Sequence, residues 1–381
     1  MDEIEKTLTR GVEQILPSKE GLANLMKKRK ITLYQGFDPS TSSLHIGHLI
    51  GIRKLAQFQK LGHKVIFLIG DFTGMIGDPT DKKATRKKLT RKKVLQNAKD
   101  YKKQISRILK FSGKNQVELK FNSEWLSKLS FEDVVELASN FTAQQMLERN
   151  FFRTRLKEQK PIYLHEFLYP LMQGYDCVAM DVDLEIGGND QLFNMMAGRV
   201  LMKTLKDKEK YVLTMKLLED PMGAKMGKTQ GNTINLTDEP NDIFGKIMAL
   251  PDTLIAPAIE LLTDLSLDLV KSKPMDAKKK LAFDVVSQTH GEEKANKAQQ
   301  NFVKTFQKRD PEYKTQIPKK KTLAATSAPF TSLASISDAK RYISQGSVVV
   351  NNKKVTDPTY KPQVGDKIKI GKTVFGTVVK K

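Results

Sequence analysis

The chain carries a single cysteine, Cys177, among 381 residues, so it has neither a disulfide framework nor a cysteine-based zinc site. No apolar stretch approaches the ~20 residues that a membrane-spanning helix needs, and no internal repeat is evident. The first residues, Met1-Asp2-Glu3-Ile4-Glu5, are acidic where a secretory or organellar presequence is basic. These absences lead to the expectation of a soluble cytoplasmic protein without a membrane partner. Acidic residues are also in deficit: 43 Asp and Glu stand against 65 Lys and Arg, a formal charge of +22. Such an excess suits a polyanionic partner, nucleic acid before an anionic membrane. The length accommodates two or three domains with ample core.

What is present begins with His45-Ile46-Gly47-His48, shortly after Gly36-Phe37-Asp38-Pro39. Ile31-Thr32-Leu33-Tyr34 reads as a strand, and Asp38 to Ser43 is turn chemistry with several possible helix caps. Ile46, Leu49, Ile50, Leu55, Phe58 and Leu61 then recur at helical spacing up to Gly62, and Val65-Ile66-Phe67-Leu68-Ile69 reads as a buried strand. The unit is β-α-β, the building block of a parallel sheet. Two histidines three residues apart share a helix face, Gly47 lets a ligand approach the backbone, and the helix N-terminus is a ready phosphate site.

An isolated His-x-Gly-His match is as well explained by a helix start with solvated histidines. Its company changes the reading. Lys225-Met226-Gly227-Lys228-Thr229 follows far downstream on a glycine-flanked loop, and the two motifs together resemble the signatures of the class I aminoacyl-tRNA synthetases, HIGH and KMSKS. The first is matched in full. The second departs at Gly227 and Thr229, which occupy the positions of the serines.

Three further clusters narrow the resemblance. Tyr169-Pro170-Leu171-Met172-Gln173-Gly174-Tyr175-Asp176 places Tyr169, Gln173 and Asp176 on one helical stripe; polar residues there suit a cavity wall better than a core. Glu185-Ile186-Gly187-Gly188-Asn189-Asp190-Gln191 ends a strand with paired glycines followed by an acid, a pattern able to meet a ribose. The basic run containing Lys82 and Arg86 follows Gly77-Asp78-Pro79-Thr80; most such charges coat a solvated helix, but this pair at i, i+4 shares a face. The Tyr-Pro-x-x-Gln-x-Tyr-Asp element and its companions resemble the bacterial-type tyrosyl-tRNA synthetases along nearly the whole chain.

That resemblance implies an α/β fold: a Rossmann-like parallel-sheet catalytic domain over residues 1–235, an all-helical tRNA-binding domain over 236–307, a linker over 308–325, and a small α+β RNA-binding domain over 326–381. It implies activation of L-tyrosine by ATP and transfer of the tyrosyl group to the 3′ end of tRNA(Tyr), with magnesium accompanying ATP, no protein-bound metal, and a homodimer. Tyr34 and Asp176 match the residues that bind the substrate phenol. Asp78, Tyr169 and Gln173 match the holders of the α-ammonium group, and Thr73 and Gln191 the pocket wall. His45, His48, Lys225 and Lys228 match the catalytic groups. Gly36, Asp38, Ser40, Gly47, Gly188, Asp190, Lys82, Arg86 and Thr229 match the ATP site. Two other readings remain open: a synthetase for tryptophan, against which Tyr34, Asp176 and the Gly-Phe-Asp-Pro form of the first motif argue, and a catalytically silent RNA-binding paralogue, against which the retained histidines and lysines argue.

Overall fold

The computed structural model describes residues 2–78, 89–219, 233–307, 313, 315–331, 333–371 and 374–380. They fall into two compact units, Met1–Ala295 and Asn296–Lys381. The first is built on a six-stranded sheet. Its strands are β1 (Val12–Leu16), β2 (Thr32–Phe37), β3 (Lys64–Ile69), β4 (Glu118–Phe121), β5 (Leu184–Gly188) and β6 (Tyr211–Met215), in the spatial order β1-β6-β5-β2-β3-β4. All neighbours are parallel except β1, which pairs antiparallel with β6. The order runs from β2 outward through β3 and β4 on one side and through β5 and β6 on the other. The point of divergence, between β2 and β5, is where an open parallel sheet leaves a crevice at the carboxyl ends of its strands.

The β-α-β unit forms as the periodicity predicts. Helix α1 (Ile46–Lys60) turns Ile46, Leu49, Ile52, Leu55 and Phe58 into the core, each at most 1% exposed. Burial of side chains of this size stabilises the fold by about 1.5–3 kcal/mol each. The cap of α1 differs from expectation. None of the Ser and Thr residues of the preceding turn closes it; His45 does, its side chain accepting from Gly47 N while His48 accepts from His45 N.

One segment of this unit gave a weak sequence signal. β1 is an edge strand of mixed polarity, half-buried, with a register irregularity between Val12 and Gln14, and so lacks an apolar run. The stretch from 131 onward forms the helices Phe131–Ser139, Ala143–Leu147 and Asn150–Lys157, the first two opened by capping boxes at Ser130 and Thr142. Helix α2 (His165–Met180) and helix α3 (Leu192–Lys206) then pack together, with Gly174 of α2 against the backbone of Ala197 and Gly198. Further helices include Pro240–Met248, Ile255–Leu262 and Pro274–His290, the last opened by its proline and ended at Gly291.

The second unit carries a five-stranded sheet of β7 (Thr315–Pro318), β8 (Val348–Val350), β9 (Lys353–Lys354), β10 (Lys367–Ile370) and β11 (Val374–Val379), in the order β7-β11-β10-β8-β9. Helix α4 (Ile336–Ser344) contributes Ala339 and Ile343 to a core with Val348, Val350, Ile368, Ile370 and Val378. Asn351 and Asn352 adopt positive φ in the turn between β8 and β9. The stretch expected as a linker over 308–325 includes β7, which runs parallel to β11 and buries Ile317 completely, and the start of the helix Leu323–Ser327. One apolar residue among polar neighbours was too little periodicity to reveal an edge strand. No helix among the described residues is long and apolar enough to cross a membrane.

Candidate active site

The carboxyl ends of β2, β3 and β5 and the start of α1 enclose a cavity of ≈ 420 Å³. Into one lining it gathers Tyr34, Gly36, Asp38, Ser40, His45, Gly47, His48, Thr73, Asp78, Tyr169, Gln173, Asp176, Gly188, Asp190 and Gln191, residues separated by up to 157 positions in sequence. Lys82, Arg86, Lys225, Lys228 and Thr229 lie outside the described residues.

The histidines sit where α1 begins. Nδ1 of His45 accepts from Gly47 N at 3.1 Å, and Nδ1 of His48 accepts from His45 N at 3.1 Å. A nitrogen that accepts from an amide carries no proton in neutral imidazole, so in each ring Nε2 is the donor. The rings stack with centroids 3.8 Å apart. A Cβ on Gly47 would stand 2.9 Å from His45 Cε1. The glycine therefore makes room for the histidine ring itself, besides any ligand. Two N–H donors at a helix N-terminus are suited to an anionic ligand.

A hydrogen-bond chain lines one wall. The Tyr169 hydroxyl donates to Asp38 Oδ2 at 2.7 Å, Thr73 Oγ1 donates to Asp38 Oδ1 at 2.7 Å, and Asn122 Nδ2 lies 2.9 Å from Thr73 Oγ1 and 3.3 Å from Asp176 Oδ2. Trp125 Nε1 completes it at 2.7 Å from Asp176 Oδ1. Burial pushes the Asp176 carboxyl well above the usual carboxylate range, against the opposing pull of the Trp125 and Asn122 donors. Burial likewise pushes the Tyr169 phenol up, and Asp38 and Asp78 add to the effect. Tyr34 is 1% exposed; its hydroxyl lies 3.1 Å from Cys177 Sγ, and burial raises its pKa.

Asp78 accepts from Gln191 Nε2 at 2.5 Å, and Arg149 approaches its other oxygen at 3.8 Å. The Arg149 guanidinium lies over the rings of Phe151 and Phe193, with 3% of its side chain exposed. Gln173 Nε2 donates to Glu185 Oε1 at 2.9 Å, and Lys210 closes on the other oxygen of Glu185. The cavity thus combines N–H donors at a helix start with several carboxylates, a set able to hold a cationic and an anionic group of bound ligands together.

Sequence reasoning passed over Asn122, Trp125, Arg149, Cys177, Glu185 and Lys210 as parts of the site. Two signals were there to be read. Asn122 is the first residue beyond β4, on the side of a parallel sheet where ligands bind, and Glu185 is a charge inside an otherwise apolar strand. Lys210 gave no local signal, because it lies in a run of charged residues, Lys206 to Lys210, that reads as solvated surface.

Residues 26–307 match the family of tRNA synthetases class I (W and Y), and residues 332–368 match the S4 domain. A protein of Carboxydothermus hydrogenoformans named tyrosine–tRNA ligase is 41% identical over 418 aligned residues, covering 100% of this chain and 99% of its own. One of the same name from Geobacter sulfurreducens is 44% identical, with 92% and 91% covered. Among solved structures, tyrosyl-tRNA synthetase complexed with L-tyrosine from Archaeoglobus fulgidus superposes with a TM-score of 0.61 at 23% identity, covering 78% of this chain and 100% of that one. A C-terminally truncated mitochondrial tyrosyl-tRNA synthetase of Aspergillus nidulans gives a TM-score of 0.69 at 22% identity, covering 80% and 94%. At these identities the likeness concerns the fold.

Proposed function

The chain belongs to the class I tRNA synthetases of the tryptophan and tyrosine group, and from that premise we propose the following account of its chemistry. It is an aminoacyl-tRNA ligase that joins tyrosine to tRNA in two steps, with ATP as substrate. In the first, a carboxylate oxygen of tyrosine attacks the α-phosphorus of ATP and the bond to the bridging oxygen breaks, giving tyrosyl-adenylate and pyrophosphate. In the second, a ribose hydroxyl at the tRNA 3′ end attacks the tyrosyl carbonyl carbon, and AMP leaves.

The observation that carries this reading is the shared cavity: Tyr34 and Asp176 line it together with Asp78, Tyr169, Gln173 and the two histidines. Asp176, held by Trp125 and Asn122, and Tyr34 are assigned to the substrate phenol. Tyr169, Gln173 and Asp78 are assigned to its ammonium group, with Thr73 and Gln191 beside them. Gly188 and Asp190, at the end of β5, are assigned to the ribose. Gly36, Asp38 and Ser40 are assigned to ATP, and Gly47 lets the nucleotide close on α1.

No protein side chain needs to become a nucleophile. Catalysis in this account is positioning and stabilisation of charge on the phosphates. The Nε2 protons of His45 and His48 supply two donors, and Lys82, Arg86, Lys225, Lys228 and Thr229 are assigned to the same task by family resemblance. Magnesium enters with ATP as part of the substrate.

tRNA binding is assigned to the helical residues 236–307 and to the S4 segment; within 332–368 of the latter, six Lys and Arg stand against three Asp and Glu, an excess that favours phosphate contacts. A homodimer is supported by large apolar side chains left exposed between 131 and 164, among them Phe131 and Leu164 at 83% each. A cytoplasmic location suits an enzyme of translation. The direct test is formation of tyrosyl-adenylate from tyrosine and ATP. Trapped adenylate is expected with tyrosine, and its absence under conditions where the protein is folded overturns the assignment.

A further inference from the structure

Behind the cavity wall lies a charge that the reaction does not call for. Lys210, immediately before β6, has a fully buried ammonium group that donates to Glu185, to Cys177 Sγ at 3.1 Å and to the Met195 carbonyl at 3.0 Å. Its three protons are thereby matched by three acceptors. The seat is shaped for it: a Cβ on Gly198 would stand 2.5 Å from Lys210 Nζ and 2.7 Å from Cys177 Sγ. A bare backbone at this point of α3 is what admits the ammonium between the two packed helices.

Glu185 is 2% exposed and lines the cavity, and its other oxygen accepts from Gln173 Nε2 at 2.9 Å. An ionised carboxylate only accepts, so it receives the amide nitrogen of Gln173 and turns the amide oxygen away from itself. A protonated carboxyl would also donate, and the amide would then satisfy it in either orientation. A counter-charge in contact favours the ionised state, whereas burial alone favours the neutral one.

We propose that Lys210, seated through Gly198, is a positioning residue for amino-acid recognition: it keeps Glu185 an acceptor and so fixes Gln173 with its amide oxygen toward the substrate's ammonium group. This rests on the tyrosine–tRNA ligase reading and adds to it a residue outside the cavity. Among the described residues, the ionisable groups around Glu185 are Lys210, Cys177 and Asp176 of α2, and Tyr34 of β2. Burial pushes the Cys177 thiol up to about 12 and raises the Tyr34 and Asp176 groups as well. Lys210 is the one cation among them.

The test is Lys210→Met in the full chain, read by tyrosine-dependent exchange of pyrophosphate into ATP. KM for tyrosine is expected to rise about tenfold near neutral pH with KM for ATP within about twofold. Parallel rises in both KM values, or an unchanged KM for tyrosine, overturns the proposal. If the single variant fails to fold, Lys210→Met/Glu185→Gln leaves no charge in the pair, and its amide both donates and accepts, so Gln173 can seat in either orientation and KM for tyrosine is expected to stay about tenfold above that of the wild type. A wild-type KM for tyrosine in that variant overturns the proposal. A wild-type chain without tyrosine-dependent exchange contradicts the functional reading instead, which keeps the two failures apart.

Discussion

Trp125 Nε1 donates to Asp176 Oδ1 at 2.7 Å, while Asn122 Nδ2 approaches the other oxygen at 3.3 Å. The two donors occupy part of the carboxylate's accepting capacity and aim it, while burial raises the cost of its charge. In this account the remaining capacity receives the substrate phenol.

Asp176→Ala is therefore expected to reduce kcat/KM for tyrosine about ten- to hundredfold, the worth of a hydrogen bond to a charged group, with a much smaller effect on phenylalanine. Exchange rates with the two amino acids measure this. Equal losses remove Asp176 from the reading of the phenol.

Trp125→Phe removes a donor that favours the ionised form of Asp176. The carboxyl pKa, already raised by burial, is expected to rise further, so the acidic limb of kcat/KM for tyrosine moves to higher pH. A profile shifted to lower pH, or unmoved, contradicts the role given to this contact.

His45 has two separable tasks, capping α1 and offering Nε2 to phosphate. His45→Asn retains a good capping residue but shortens the reach. Thermal stability is expected to change little, while the rate of adenylate formation falls about 10²–10³-fold, the loss typical of one charge-stabilising donor. Stopped-flow activation rates beside thermal melts separate the tasks; a large drop in Tm with unchanged activation reverses the assignment.

These residues differ in how far the sequence discloses them. Tyr34, Asp38, His45, His48, Tyr169, Gln173 and Asp176 sit within short motifs whose spacing is itself structural: i, i+4 and i+7 on α2, or i and i+3 on α1. Parallel strands were legible where both faces are buried, as in Lys64–Ile69, five of whose six residues are buried. β1 and β7 were not, because an edge strand shows one buried face and few apolar residues. Trp125, Glu185 and Lys210 act through partners that the fold brings from 51, 12 and 25 positions away. No local pattern encodes such pairings.

Lys54 gives a pH signature outside the site. Its ammonium donates to the carbonyls of Thr7 at 2.6 Å and Arg10 at 3.0 Å, and burial, with Arg53 adding to it, lowers its pKa to about 7. The unfolded chain holds the proton up to about 10.4. Between those values the unfolded state binds more protons than the native state, so this group makes stability rise with pH, and its penalty is constant below the folded pKa. Wild-type Tm is expected to gain on that of Lys54→Met from pH 7 to about pH 10. Parallel curves contradict the shift.

The most direct measurement of the central claim is amino-acid-dependent exchange of pyrophosphate into ATP by the purified chain, run with tyrosine and with tryptophan. Exchange driven by tyrosine, and none above background with tryptophan, is the predicted result. Exchange driven by tryptophan and not tyrosine, or by neither, contradicts the account.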